Sequence, residues 1–391
     1  MRNATSVTRR GFITGTALAI TSMGWKLPSV LEAEEPGSLA ALIPSEPPML
    51  RLDRNESPYG MSPASMQAMM NIAADASPRY PRDEPAALVE AISKRLGVEK
   101  EQLLLGCGST EILKMATETF CSSSGAAIVA EPTFEAVVNY CPLARARAVK
   151  IPITKEYKHD LPRMLDAAGL VGGFIFFCNP ANPEGTIIDK KTVERFVRTI
   201  PSGVVLLIDE AYSDYVDAPE YESCLRYVKE GLPVLVSHTF SKVYGMAGLR
   251  LGYAVGHKDL IRQMSERRLA TSTNQLVMAA AAAGLKDDDF VARIRKLNAE
   301  VRNYLCGELK AMRLDFVPSQ TNFVLIDLGR PAQPVIDGLK ERRIMVGRLF
   351  ASMPNHMRVS LGTADEMRTF IKEFRSVMGL DLETGASTLE P

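Results

Sequence analysis

The chain predicts an α/β fold: a mostly parallel sheet wrapped by helices, followed by a smaller α/β C-terminal domain. Three observations lead there. Short apolar runs at residues 103–105, 126–130, 174–177, 204–208, 233–236 and 251–255 alternate with helical patterns that include 111–120, 190–199 and 275–285. The runs are too continuously apolar for half-exposed strands and read as strands buried on both faces. Finally, residues 287–312 carry an apolar stripe at Phe290, Ile294, Leu297, Val301, Leu305 and Leu309, the spacing of one helix face, which would join the large domain to the small one.

In chain order, the first element is a targeting segment, residues 1–33. Thr8-Arg9-Arg10-Gly11-Phe12-Ile13 is a twin-arginine pattern, followed by a weakly apolar stretch to Trp25 and by Pro28. It is too short and too rich in Gly and Thr to span a bilayer. Cleavage is expected at residues 31–35, where the small-residue signature is poor, so an uncleaved, membrane-anchored form stays open. The expectation is export through the twin-arginine machinery to the periplasm. An N-terminal arm (34–78), a large domain (79–285), a small C-terminal domain (286–380) and a loose tail (381–391) complete the division.

The chemistry sits at the ends of the apolar runs, where open α/β sheets place their ligands. The run 204–208 ends in Asp209-Glu210-Ala211-Tyr212. The run 233–236 is followed by Thr239-Phe240-Ser241-Lys242, then Gly245, Gly248 and Arg250. An amine between hydroxyls and a guanidinium is a place to hold a phosphorylated aldehyde: the amine condenses with the carbonyl while the hydroxyls and arginine take the phosphate. A buried carboxylate such as Asp209 can keep a pyridine nitrogen protonated and electron-withdrawing. After 174–177 comes Asn179-Pro180-Ala181-Asn182-Pro183-Glu184-Gly185, a loop stiffened by two prolines, with the Asn182 amide free for a cofactor oxygen. Gly106-Cys107-Gly108-Ser109-Thr110-Glu111 opens a helix, and small residues at a helix N-terminus form an anion site.

In this order and spacing the chain resembles the fold-type I, pyridoxal phosphate (PLP)-dependent aminotransferases of class I/II, and within them the histidinol-phosphate aminotransferase subfamily. The resemblance runs from about residue 50 to 379. It also takes in Arg51-Leu52-Asp53-Arg54-Asn55-Glu56-Ser57-Pro58-Tyr59-Gly60, Arg79-Tyr80-Pro81, Glu131-Pro132-Thr133-Phe134, Pro318-Ser319-Gln320-Thr321-Asn322-Phe323 and Arg358-Val359-Ser360-Leu361-Gly362-Thr363. It implies that Lys242 forms the Schiff base and moves the proton, with Asp209 on the pyridine nitrogen. Asn182 and Tyr212 would hold the ring hydroxyl and Phe134 would stack on the ring. Ser109, Thr110, Thr239, Ser241 and Arg250 would cradle the phosphate, with Tyr80 reaching in from a neighbouring subunit of a homodimer. Arg358 would grip the substrate carboxylate, or the phosphate of a substrate lacking one, with Tyr59 and Asn182 also on the substrate side.

The implied activity is a PLP-dependent transaminase passing an amino group from an L-amino acid or related amine to a 2-oxo acid. A decarboxylase of the same subfamily uses the same lysine and carboxylate, and a non-catalytic PLP-binding protein is the bland rival. Two departures argue against histidinol phosphate as the donor. Glu184 stands where the subfamily usually has threonine, and Gly347 is inserted before Arg348, displacing that arginine from the expected substrate-phosphate position. Export argues the same way, so the expected donor is a free amino acid or a secreted amine-bearing metabolite.

Composition excludes other classes. Lys+Arg and Asp+Glu both total 46, so no basic excess points to nucleic acid. The six cysteines have no CxxC or zinc spacing and the four histidines no ligand spacing, so no metal site is expected. Cys107 and Cys178 read as buried thiols at strand ends, and a disulfide between some pair stays open in an oxidising compartment. Glu111 stands where a dinucleotide-binding turn needs its third glycine, and no glycine loop ends in Gly-Lys-Ser/Thr.

Overall fold

The computed structural model describes residues 49–81, 86–121 and 125–380, and the expected targeting segment, the start of the arm and the loose tail lie outside them. Residues from Met49 onward form one compact unit. Among the described residues its strands are β1 (Leu50–Leu52), β2 (Leu103–Gly106), β3 (Ala126–Glu131), β4 (Ala148–Pro152), β5 (Gly173–Cys178), β6 (Val205–Asp209), β7 (Val234–Thr239), β8 (Gly252–Gly256), β9 (Asp315–Val317), β10 (Phe323–Asp327), β11 (Ile344–Val346) and β12 (His356–Ser360).

The principal sheet has seven strands in the order β2-β8-β7-β6-β5-β3-β4. Its inner strands explain their own sequences. Along β5, Phe174 and Phe176 pack into the apolar layer on one face while Ile175 and Phe177 pack into the layer on the other. β6 and β7 divide likewise, Leu207 and Leu235 to one face, Leu206, Ile208, Val234 and Val236 to the opposite one. With both faces covered there is no polar alternation to write, and the run is apolar throughout. Parallel register sets Cys178 beside Asp209 and Asp209 beside Ser237, so the three chains leave the sheet at one edge.

Two features differ from expectation. The run at 251–255 becomes β8, which is antiparallel to both β7 and β2. A strand's apolar content reports its burial and not its direction, so this was invisible in the pattern. β4, half-buried at the sheet edge, lacks the continuous run and was missed.

A second core lies behind a three-stranded antiparallel sheet, β12-β10-β9, and a parallel pair, β1-β11. The helix Asp288–Ala311, capped by Asp287 accepting from the Phe290 N–H at 3.1 Å, serves both cores. Phe290, Val291 and Ile294 enter the first, Val301, Leu305 and Leu309 the second. The arm contributes to both as well. Leu52 is buried in the second core through pairing with Val346, and the helix Pro63–Ala76 packs on the helix Gln275–Gly284. Among the described residues no helix is long and apolar enough to cross a membrane.

All six thiols are free. Cys178 is buried at the end of β5 as expected, but Cys107, directly after β2, is half-buried and stands before the helix Gly108–Phe120 with no side-chain bond to its first turn.

Candidate active site

Where β5, β6 and β7 end, the loops that follow enclose an inner cavity of about 430 Å³. Its lining includes Ser109, Thr110, Phe134, Asn182, Asp209, Tyr212, Thr239, Ser241, Lys242 and Arg250. Ten of the eleven residues placed around the cofactor from sequence, all but Tyr80, are thus brought together. An adjoining outer cavity of about 870 Å³ shares Thr110, Phe134, Asn182, Tyr212 and Lys242 and adds Arg358, Arg348, Glu135, Phe350 and Asp53. Tyr59 and Tyr80 line neither. Tyr59 is partly buried against the large core, and Tyr80 is 84% exposed on this single chain.

At one end of the inner cavity the backbone is shaped around Arg250. This residue takes a left-handed conformation (φ 64°), uncommon for a residue with a side chain, and donates to the Ala247 carbonyl at 2.8 Å. A Cβ at Gly108 would overlap its guanidinium, and a Cβ at Gly252 would run into the backbone of Ser109. Both glycines are therefore required for close approach. The result is a guanidinium, the Ser241 and Thr239 hydroxyls (2.9 Å apart) and the N-terminal turn of the helix Gly108–Phe120 around one space. That donor set suits a dianionic phosphate.

At the other end, Asp209 is 3% exposed. Its Oδ1 accepts from the Ala211 N–H at 3.2 Å and the Ser237 hydroxyl at 3.4 Å. Burial raises its pKa to about 6, opposed by those two donors and by the charge of Lys242, so the carboxylate stays ionised at neutral pH and is short of cationic partners. Lys242 donates from Nζ to the carbonyls of Asn55 (2.9 Å) and Arg54 (3.1 Å). Burial, and then the nearby Arg358 charge, lower its pKa to about 8, within reach of a neutral, nucleophilic amine. Tyr212, its phenol pushed well up by burial, accepts at its oxygen from the Asn55 and Asn182 amides at 3.0 and 3.3 Å. Its own O–H is left to donate into the cavity.

Arg358 projects from β12. Its guanidinium lies 5.4 Å from the Phe323 ring centre and 5.6 Å from that of Phe350, donating to the Asn182 Oδ1 at 2.6 Å and the Asp53 carbonyl at 2.9 Å. These acceptors are neutral, so the guanidinium is a half-buried cation without a bonded counter-charge. Arg348, next to the inserted Gly347, lines the outer cavity. It is, however, paired with Glu135 at 2.6 Å and lies 4.6 Å from the Phe350 ring centre.

Asn55 is the residue that sequence reasoning passed over. At φ 55° it sits where asparagine is tolerated better than most side chains, buried, with its carbonyl on Lys242 and its amide on Tyr212. Ser360 and Asn322 complete the knot: the Asn55 N–H donates to the Ser360 hydroxyl at 2.8 Å and the Asn322 amide donates to the Asn55 carbonyl at 3.0 Å. An asparagine inside a polar segment is a weak signal, because the same residue marks plain turns. Among the described residues no cluster of His, Cys, Asp or Glu could hold a metal ion.

The profile of the family Aminotransferase class I and II matches residues 47–374. A histidinol-phosphate aminotransferase from Moorella thermoacetica is 37% identical over 333 residues, 84% of this chain and 86% of that protein. One from Symbiobacterium thermophilum is 32% identical over 332 residues, covering 85% and 91%. Among solved structures, a histidinol-phosphate aminotransferase from Sinorhizobium meliloti in complex with pyridoxal-5'-phosphate superposes with a TM-score of 0.80 at 24% identity, covering 85% of this chain and 92% of that one, and shares the fold.

Proposed function

The chain belongs to the class I and II aminotransferase family and is a PLP-dependent transaminase, and we propose that its amino donor is an L-amino acid whose carboxylate seats on Arg358, with a 2-oxo acid as acceptor. The observation that carries this reading is Arg358 itself, a half-buried guanidinium with only neutral acceptors, facing the same cavity as Lys242. A planar carboxylate matches its fork and supplies the missing charge.

The inner cavity fits the cofactor on its own chemistry: a phosphate cradle shaped by two side-chain-free glycines at one end, a buried carboxylate at the other, and an amine near them. Ser109, Thr110, Thr239, Ser241 and Arg250 would hold the phosphate, Asp209 the ring nitrogen, Asn182 and Tyr212 the ring hydroxyl, and Phe134 the ring face. Bound there, PLP supplies a carbonyl for the donor's amine and a cationic ring that withdraws electrons from the donor's α-carbon. Asp209 retains the proton on the ring nitrogen, which its ionised state at neutral pH allows. Tyr212 donates its O–H, with the phenolic oxygen steadied by two amides. Lys242, lowered to about 8, gives up its own proton readily and takes one from the α-carbon at Nζ. Arg358 orients the donor so that the breaking C–H bond faces that amine.

The Arg348 side chain in the outer cavity favours a second donor, histidinol phosphate, after the name the relatives carry. A phosphate there would have to displace Glu135 from its 2.6 Å ion pair, which is why the amino acid is preferred. The absorbance spectrum of the PLP-loaded protein, taken before and after a panel of L-amino acids and histidinol phosphate, decides between them. A free L-amino acid is expected to convert the visible band to that of the aminated cofactor, reversed by a 2-oxo acid. Conversion by histidinol phosphate alone overturns the amino-acid reading. Exchange without conversion would mean decarboxylation or another reaction at the α-carbon.

The protein works as an exported homodimer in this proposal. The twin-arginine pattern Thr8 to Ile13 supports export, and the exposed Tyr80 suits a role in a neighbouring subunit's cavity. Replacing Arg9 and Arg10 together by lysine is expected to strand the protein in the cytosol in a fractionation blot; unchanged export would refute the targeting assignment.

A further inference from the structure

Glu184 is a buried ionisable group that none of the roles above uses. Its side chain is 0% exposed, and neither Oε1 nor Oε2 has a hydrogen-bond partner. The loop holds it inward: the Ala181 N–H donates to the Thr186 carbonyl at 2.8 Å and the Gly185 N–H to the Ala181 carbonyl at 2.9 Å. Behind the loop, a Cβ at Gly185 would strike Ser319, and the Gln320 N–H is tied to the Gly185 carbonyl at 2.8 Å. Two residues before Glu184 in the same loop, Asn182 accepts from Arg358. Burial holds the carboxyl protonated, up to about 8, while its own backbone N–H and, after it, the Arg358 charge draw it back toward ionisation.

The other titratable groups near the loop do not offer a competing charge. Burial pushes the Cys178 thiol on β5 and the Tyr212 phenol well up, and both stay neutral. Tyr157, whose carbonyl receives the Thr186 hydroxyl, places its own hydroxyl 3.0 Å from the His356 ring on β12, and burial keeps that imidazole's pKa down. Asp53 and Lys242 act on Arg358 from its cavity side.

We infer that Glu184 is a positioning residue, the proton-exchanging counter-charge of Arg358: in mildly alkaline solution it ionises while that guanidinium is bare and takes up a proton from solvent when a substrate carboxylate seats there. The inference rests on Arg358 being the carboxylate seat. The physical cause is local neutrality. A bare Arg358 stabilises the Glu184 anion, whereas a seated carboxylate satisfies Arg358 and adds like charge nearby, which returns the proton to Glu184. The sign follows: binding of a carboxylate is tightest where Glu184 is already protonated and weakens as pH rises through about 8, because a proton must then be recruited.

The test is calorimetric titration of the PLP-loaded enzyme with 2-oxoglutarate, which bears carboxylates and no amine, at about pH 7 and about pH 9 in buffers of different ionisation enthalpy. The wild type is expected to take up more protons at the higher pH and to bind roughly tenfold more weakly there. Lys242 and the cofactor also titrate in this range, so the comparison is with Glu184→Gln, which should lose the Glu184 share of the uptake and most of the weakening. Infrared difference spectra of the wild type at the higher pH should gain a protonated-carboxyl band on binding, a readout that decides the matter even where the glutamine variant fails to fold. Equal uptake and equal weakening in both proteins, or no infrared gain, would reduce Glu184 to a space-filling residue. Failure of 2-oxoglutarate to bind at either pH would instead overturn Arg358 as the carboxylate seat, and this inference with it.

Discussion

Replacing Lys242 by alanine is expected to lower kcat by about 10⁴-fold, the upper end of what a positioned proton-transfer group contributes, because the same amine is also the nucleophile toward the cofactor's carbonyl. The change should leave the fold nearly intact. Nζ donates to the main-chain carbonyls of Arg54 and Asn55, both at a cavity wall where water can replace it. Melting temperature is expected to move by a few degrees at most. The measurement is single-turnover absorbance with the best donor of the panel, read beside a thermal melt. The visible band of lysine-bound cofactor should be missing from the variant. A variant that retains the band and turns over at a tenth of the wild-type rate would move the reacting amine elsewhere. Lys242→Arg is the stricter control, since it keeps the charge beside Asp209 while removing an amine that can lose its proton near neutral pH.

Asp209→Asn should separate binding from chemistry. The amide can still accept from the Ala211 N–H and the Ser237 hydroxyl, so the backbone around it is expected to hold. What it cannot do is stay anionic opposite a ring nitrogen. Burial raises the Asp209 pKa only to about 6, which leaves the carboxylate charged at the pH where the enzyme works. Removing that preorganised charge is expected to cost about 10²–10³-fold in kcat, as losing one aimed electrostatic group typically does. PLP affinity should fall less than about tenfold, because the phosphate cradle at Arg250 and Ser241 is untouched. Equal losses in kcat and affinity would make Asp209 a binding residue only. A cationic ring opposite Asp209 lowers its pKa below the value of about 6 that burial gives it in the empty site, so the wild type is expected to keep its turnover as pH falls through about 6.

Glu184 and Arg358 show how far apart in sequence the determinants of one substrate group lie. Asn182 and Arg358, bonded at 2.6 Å, are 176 residues apart, and Asn55 and Ser360 are 305 apart. The arm reaches the second core because β1 pairs with β11, Leu50 against Ile344 and Leu52 against Val346. That pairing carries Asp53, Arg54 and Asn55 to Arg358 and Lys242. A strand of three residues is too short for its alternation to announce a partner.

By itself, the amino-acid order determined which residues leave the sheet at its reactive edge. Apolar runs end at Cys178 and Asp209, and another leads through Ser237 and His238 to Thr239, because strands covered on both faces stay apolar until they near the sheet edge. Cys178, Asp209 and Thr239 all line the inner cavity. Gly108 was legible as a small residue opening the helix at the phosphate cradle, whereas the close approach at Gly252 was not, since only the fold brings it against the backbone of Ser109. Tertiary structure alone decided that β8 runs antiparallel, that Asn55 clasps both Lys242 and Tyr212, that Tyr59 lies outside the cavity, that Arg348 is engaged by Glu135, and that the Glu184 carboxyl is buried beside the loop that holds Arg358. Local periodicity records how much of a residue is covered; which element covers it is set by long-range pairing, and that free energy is written in no single segment.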